Sequence, residues 1–349
     1  MLELRPFQKQ VLALLQSPGH VLAIAPTGSG KSLIIERRAQ RGGTRTLLIS
    51  PLVALSRQHA TKLAAAGLKV QSGRPAAPDS DVWILSPESL THSTVIEELR
   101  RWRPNFLAVD ECHCLWEWGQ SFRPAFLEVP SLIKRFKIQT SLWLTATLPA
   151  PALAQLEKLV EEPLKKVGSF ALPENLDLHV SKVPWLDRTQ LALDWTRARK
   201  GCGIIFVQTR KLAESLCRLF QASGKRALVY HAGLSKEERL NLEILINRGV
   251  FDLVVATSAF GMGMDNPHLR WCLLWQTPAS LLALAQAVGR VGRSELGEAL
   301  IFWDEQDFEN NEWIALNSAE KRRDLENVLA FLTSLKSPRE SLTRFFLPD

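Results

Sequence analysis

Short apolar runs recur along the chain and end in small or polar residues: HVLAIAP (20–26), RTLLISP (45–51), DVWILSP (81–87), FLAVDE (106–111) and SLWLTAT (141–147). Five more follow: GIIFVQT (203–209), ALVYHAG (227–233), FDLVVAT (251–257), RWCLLWQ (270–276) and ALIFW (299–303). Each run is apolar at successive positions, so both faces of the strand it predicts are covered, and the spacers between runs carry helical period. That alternation predicts parallel sheets flanked by helices. Between the two sets lies LVEEPLKKVGSFALPENL (159–176), with charge, a glycine and two prolines, which reads as a joint. The expected fold is therefore α/β, with two tandem doubly wound parallel-sheet domains at 1–165 and 166–310. A short, polar helical tail is expected at 311–349.

No apolar run approaches the roughly 18 residues that a membrane span requires, and MLELRPFQKQ is no signal peptide. The expectation is a cytoplasmic protein whose five cysteines are reduced. Its formal charge of +7 is uneven: residues 1–150 hold 18 Lys and Arg against 11 Asp and Glu, whereas the remainder holds 25 of each. A polyanionic partner fits this excess, as does an ordinary basic surface.

Chemistry narrows the choice. APTGSGKS (Ala25–Ser32) directly follows the first predicted strand and precedes a helical segment, LIIERRAQ. That is the setting of a phosphate loop. Thr27, Gly28, Ser29 and Gly30 form a tight turn whose N–H groups cradle phosphate oxygens; Lys31 reaches the β- and γ-phosphates, and the Ser32 hydroxyl binds Mg²⁺. A carboxylate pair is then needed at a neighbouring strand end, and Asp110 and Glu111 supply it, Asp110 for Mg²⁺ through water and Glu111 to deprotonate the attacking water. QAVGRVGR (Gln286–Arg293) sets Arg290 and Arg293 three apart between glycines. Planar guanidiniums suit the charge of a phosphoryl transition state, provided the second domain closes on the first. ATP and Mg²⁺ are the expected cofactors.

PTGSGKS, DECH, LTATL (Leu144–Leu148), VVATSAFGMGMD (Val254–Asp265) and QAVGRVGR, in this order, resemble the superfamily 2 helicase core of two RecA-like domains, and within it the RecQ family of DNA helicases. The resemblance runs from Leu4 to about Phe346. It implies that Arg5 stacks on adenine and Gln8 reads its edge, in LRPFQ. It likewise implies that Asp265 reaches the ribose or γ-phosphate, and that Ser50, Arg57 and Thr257 touch the strand. WGQSFRP (Trp118–Pro124) resembles the aromatic-rich loop through which bound DNA signals to the ATP site. Trp116, Trp118, Phe122 and Arg123, with His113 of DECH, are its candidates, and base stacking on such rings is worth roughly 1–3 kcal/mol. Two readings stay open elsewhere: Thr209 and Arg210 suit phosphates or helix capping, and His231 suits a contact or a structural histidine.

What the resemblance implies is an ATP-dependent DNA helicase or translocase moving 3′ to 5′, a monomer acting on single-stranded and forked DNA. An RNA helicase and an ATP-switched annealing clamp are the alternatives. Cys112 and Cys114 beside His113 lack the paired spacing of a zinc site, so no zinc is expected. SPRESLTRFF (Ser337–Phe346) resembles the start of the family's zinc module, with Ser337 where a ligand cysteine is expected and no CxxC after it. The zinc and winged-helix modules are accordingly expected to be absent from this chain, and strong strand separation with them.

Overall fold

In a computed structural model of the chain, the described residues are 3–26, 28–73, 78–115, 124–260, 266–293, 295–309 and 319–347. They form two compact units, Met1–Ala171 with Phe346–Asp349, and Leu172–Phe345.

The first unit holds seven strands: β1 (Gly19–Ile24), β2 (Thr46–Ile49), β3 (Val70–Ser72), β4 (Val82–Leu85), β5 (Phe106–Val109), β6 (Thr140–Thr145) and β7 (Leu164–Val167). They lie in the order β3-β4-β2-β5-β6-β1-β7, and every pairing is parallel. The helices are α1 (Pro6–Leu14), α2 (Lys31–Ala39), α3 (Val53–Ala65), α4 (Ser93–Trp102), α5 (Ser131–Phe136) and α6 (Ala150–Val160). β2, β4, β5 and β6 are buried along their whole length, as runs apolar on both faces require. Ile34 and Ile35 of α2 pack with Val21, Leu48, Ala108 and Leu142 of the strands, which anchors the helix behind the phosphate loop.

The second unit holds β8 (Leu176–Lys182), β9 (Cys202–Phe206), β10 (Ala227–Tyr230), β11 (Leu253–Ala256), β12 (Leu269–Leu274) and β13 (Gly297–Trp303), in the parallel order β10-β11-β9-β12-β13-β8. Its helices are α7 (Arg188–Arg197), α8 (Arg210–Ala222), α9 (Lys236–Asn247), α10 (Leu281–Val288), α11 (Ala319–Leu332) and α12 (Pro338–Phe346). Ile205, Val255, Leu273 and Phe302 from the sheet meet Leu216 and Phe220 of α8 in its core.

The ten runs read from the pattern are all strands, but the stretch expected to be a joint is partly sheet. β7 lies inside it, burying Leu164 and Val167 while Lys165 and Lys166 face outward. β8 begins at its end and pairs with β13 over seven rows. Both are edge strands, which take polar and charged residues that a continuous apolar run excludes. Such edges are hidden from a search for buried strands.

Candidate functional site

The first site lies at the C-terminal edge of the first sheet, where β1 runs into the phosphate loop. Gly28 and Gly30 have φ of 80° and 83°, in the left-handed region that glycine occupies without strain. A Cβ on Gly30 would lie 2.5 Å from Gln8 Nε2, so the glutamine side chain would have to move to admit one. Gln8 is buried in α1; its Oε1 accepts from the Arg5 amide (2.9 Å), and its Nε2 donates to the carbonyls of Ser29 (3.3 Å) and Gly30 (2.9 Å). Gln8 thus grips the glycine loop directly. Lys31 Nζ donates to the Ala25 and Pro26 carbonyls at 2.7 and 3.1 Å, folded back along the loop. Among the described residues the Ser29 hydroxyl is buried with no hydrogen-bond partner, which fits a loop built to receive phosphate oxygens.

Two strands away, beyond β6, β5 ends in the carboxylates. The Asp110 amide donates to the Ile49 carbonyl of β2 (3.0 Å) and the Cys112 amide to the Leu144 carbonyl of β6 (2.9 Å), so the DECH turn is stitched to strands on both sides. The Ala25 amide donates to the Thr145 carbonyl (3.1 Å), which ties the phosphate loop to the same β6. Glu111 sits at φ 49°. A non-glycine residue there carries strain of about 1–3 kcal/mol, the kind of outlier that clusters at functional sites. Ser32 and Asp110 offer hydroxyl and carboxylate oxygens, the hard donors that suit Mg²⁺.

His113 is buried, so its surroundings are other side chains. Its Nδ1 lies 3.0 Å from Thr145 Oγ1 and 3.3 Å from Glu111 Oε2, and its Nε2 lies 3.6 Å from Cys114 Sγ. Burial alone would lower the imidazole pKa, but the Cys114 sulfur and the Glu111 carboxylate outweigh it and hold the group well above its usual value. Thr145 Oγ1 donates to the Thr147 carbonyl (2.7 Å). The LTATL segment is therefore joined through one hydroxyl to the histidine beside the carboxylates. Burial raises the Cys112 thiol, and the Glu111 carboxylate adds to the effect. Among the described residues, no three His, Cys, Asp or Glu side chains cluster as a metal site.

Of the expected strand contacts, Arg57 is exposed on α3, whereas Ser50, just after β2, is fully buried and its hydroxyl has no partner among the described residues. In the second unit, Thr257 directly follows β11 and its hydroxyl accepts from the Ala259 amide (3.4 Å). Thr209 caps α8, accepting from the Leu212 amide (3.2 Å). His231 is buried; Glu214 Oε1 lies 3.3 Å from its Nε2, yet neither ring nitrogen makes a hydrogen bond among the described residues. Thr27, Trp116, Trp118, Phe122, Arg123 and Asp265 lie outside the described residues.

Arg290 and Arg293 follow α10. Arg290 is buried, and Arg293 Nε donates to the Gly289 carbonyl (3.0 Å). Gly292 between them has φ 75°, and a Cβ on it would come within 2.7 Å of the Leu176 amide nitrogen. The arginine turn therefore packs backbone to backbone against the start of β8. Gly292→Ala is expected to cost more than about 1 kcal/mol, because it combines a strained φ with a clash. A lowered urea midpoint of the variant checks this.

Two residues that the motif reading did not single out complete the picture: Thr145, described above, and His59 of α3, whose Nε2 lies 2.6 Å from Asp110 Oδ2. A lone histidine in a helix carries no spacing signal, and only the fold brings it to the carboxylate.

Comparison with known proteins matches residues 5–156 to the DEAD/DEAH box helicase family and residues 182–295 to the helicase conserved C-terminal domain. Similar proteins include an ATP-dependent DNA helicase RecQ of Synechocystis, 34% identical over 82% of this chain and 65% of that protein. A probable ATP-dependent DNA helicase RecS of Bacillus subtilis is 27% identical over 97% of the chain and 71% of its own length. The chain thus spans about two thirds of the Synechocystis relative and 59% of a Haemophilus influenzae RecQ helicase. Among solved structures, Saccharomyces cerevisiae Dbp5 bound to RNA and ADP BeF3 shares the fold at TM-score 0.72 and 17% identity, covering 93% of both chains. The Mycobacterium smegmatis helicase Lhr, bound to ssDNA and AMP-PNP, shares it at TM-score 0.66 and 24% identity over 95% of this chain and 51% of that one. Both units are RecA-like.

Proposed function

The chain belongs, through its helicase core, to the RecQ family, and from that premise we propose that it hydrolyses ATP and couples the hydrolysis to movement along single-stranded DNA. The observation that carries this reading is the meeting, at one sheet edge, of a left-handed glycine loop under Lys31 with the Asp110–Glu111 pair of a nearby strand. Ligands of open parallel sheets bind at that edge.

In this mechanism Lys31 exchanges the Ala25 and Pro26 carbonyls for phosphate oxygens, and the loop amides hold the rest of the chain of phosphates. Ser32 and Asp110 are the residues that would hold Mg²⁺, which would supply neutralisation of phosphate charge when bound. Glu111 takes the proton of the attacking water. Arg290 and Arg293 are assigned to the charge that develops on the transferred phosphoryl group. Arg5 is assigned to the adenine ring, and Gln8 links the base end of the nucleotide to the loop at its phosphate end. Asp265 is assigned to the ribose.

On the DNA side, Arg57 and Thr257 are assigned to the strand backbone, and Trp118 with Trp116, Phe122 and Arg123 to the coupling loop. Buried as it is, His113 acts through Glu111 and Thr145 and not by touching the strand. A stacked DNA step is worth roughly 1.4 kcal/mol, so biased advance in the 3′ to 5′ direction captures openings at a fork.

The test is ATP turnover with and without a DNA strand, with RNA as competitor, and unwinding of a duplex bearing a 3′ tail. Many-fold stimulation by DNA is expected. An equal rate without DNA would refute the coupling, equal stimulation by RNA would indicate the other track, and a single burst without steady turnover would mark a switch. Trp118→Ala is expected to keep basal hydrolysis and lose most of the DNA response; an unaltered response removes the loop from the mechanism.

A further inference from the structure

His59 sits in α3, the helix that continues the LISPLVALSRQ segment, and is almost fully buried. Its Nε2 lies 2.6 Å from Asp110 Oδ2. A carboxylate offers only lone pairs, so Nε2 carries the hydrogen and donates it. The other oxygen, Asp110 Oδ1, accepts from the Glu111 amide at 3.0 Å. Both carboxylate oxygens are therefore held, one by the backbone of the catalytic turn and one by a side chain from a different helix. Two fixed donors define the plane of the carboxyl group and hence the directions of its remaining lone pairs. Hydrogen bonds of this outer-shell kind set the orientation of oxygens that face a metal, and their loss typically weakens metal affinity or activity by about 10–100-fold.

We propose that His59 is a positioning residue for the Mg²⁺-nucleotide, acting by aiming the Asp110 carboxylate. The inference rests on the ATP-hydrolysis reading above. The helix geometry separates this role from the DNA face. Arg57, two residues earlier, is exposed, and at about 100° per residue it points roughly 200° away around α3. A change at position 59 therefore leaves the exposed face of the helix intact.

The experiment compares His59→Leu, which keeps bulk but has no donor, with His59→Gln, whose amide reaches the place of Nε2. Binding of a fluorescent non-hydrolysable ATP analogue is followed across a Mg²⁺ series, with steady-state turnover over the same series and single-strand affinity measured without nucleotide. His59→Leu is expected to need about tenfold more Mg²⁺ for half-maximal binding. His59→Gln is expected to return most of the way to the parent, and both variants to bind DNA as the parent does. His59→Ala serves the same comparison if the leucine variant does not fold. An unchanged Mg²⁺ midpoint in the donor-less variant, or an equal shift in the leucine and glutamine variants, overturns the proposal. A parent protein that binds no Mg²⁺-nucleotide overturns the hydrolysis reading itself, which is a different result.

Discussion

ATP turnover by the Glu111→Gln variant is expected to fall by roughly 10²–10⁴-fold, the range that general-base catalysis contributes. Nucleotide affinity should stay close to that of the parent. Glutamine keeps the size of the side chain and a carbonyl oxygen toward His113, but it cannot accept the proton of the attacking water. The expectation is sharpened by the backbone: Glu111 is held at φ 49° by a turn whose flanking amides bond to β2 and β6, so the side chain has little freedom to find another pose. Lys31→Ala gives the complementary outcome. It removes the group that lies across the loop carbonyls, so loss of nucleotide binding should accompany loss of turnover. Measuring binding and turnover separately distinguishes the two. A Glu111→Gln protein that hydrolyses ATP at the parent's rate would show that another group is the base.

The parts of this site that could be read from the chain are those whose chemistry is local. Ala25–Ser32 and Asp110–Glu111 are contiguous, and each lies at the end of an apolar run that marks a buried strand, so spacing alone carries both the residue types and their setting. What escaped the reading is tertiary. His59 is distant in sequence from Asp110, and nothing in VALSRQHATK distinguishes a histidine that grips a carboxylate from one that fills a core. The bonds from the Gln8 amide to Ser29 and Gly30 likewise depend on how α1 packs over the loop, which spacing does not show. Thr209, open between phosphate contact and cap, caps α8. The same division holds for the fold. Central strands announce themselves because both faces are buried. β3, β7 and β8 are edge strands, short or interleaved with lysine, aspartate and histidine, and VQS, LKKV and LDLHVSK resemble loop sequence.

Arg188 lies outside every motif and is the side chain whose loss is expected to unfold the second unit. It opens α7 and has no exposed surface. Its Nε donates to the Val183 carbonyl after β8 (3.0 Å), and Nη1 donates to the Trp275 carbonyl after β12 (2.9 Å). Nη1 and Nη2 meet Asp307 Oδ1 and Oδ2 at 2.9 and 3.0 Å in a bidentate pair beyond β13. One guanidinium thus ties together the exits of three neighbouring strands. Arg188→Ala would leave the buried Asp307 carboxylate without its counter-charge and two carbonyls without donors. Breaking a buried pair from one side costs roughly 3–5 kcal/mol, a large share of a domain's stability of about 5–15 kcal/mol. Denaturant unfolding followed by tryptophan fluorescence should show an early transition in the variant, since Trp275 and Trp185 sit against this network. The paired change Arg188→Met with Asp307→Leu should recover only part of the loss. Asp307 Oδ2 also accepts from the Thr277 amide and hydroxyl and from the Asp304 amide, all at 3.3 Å, and leucine leaves those donors buried and unmatched. Full recovery in the double variant would mean that the ion pair alone, and not the wider network, holds the three strand ends.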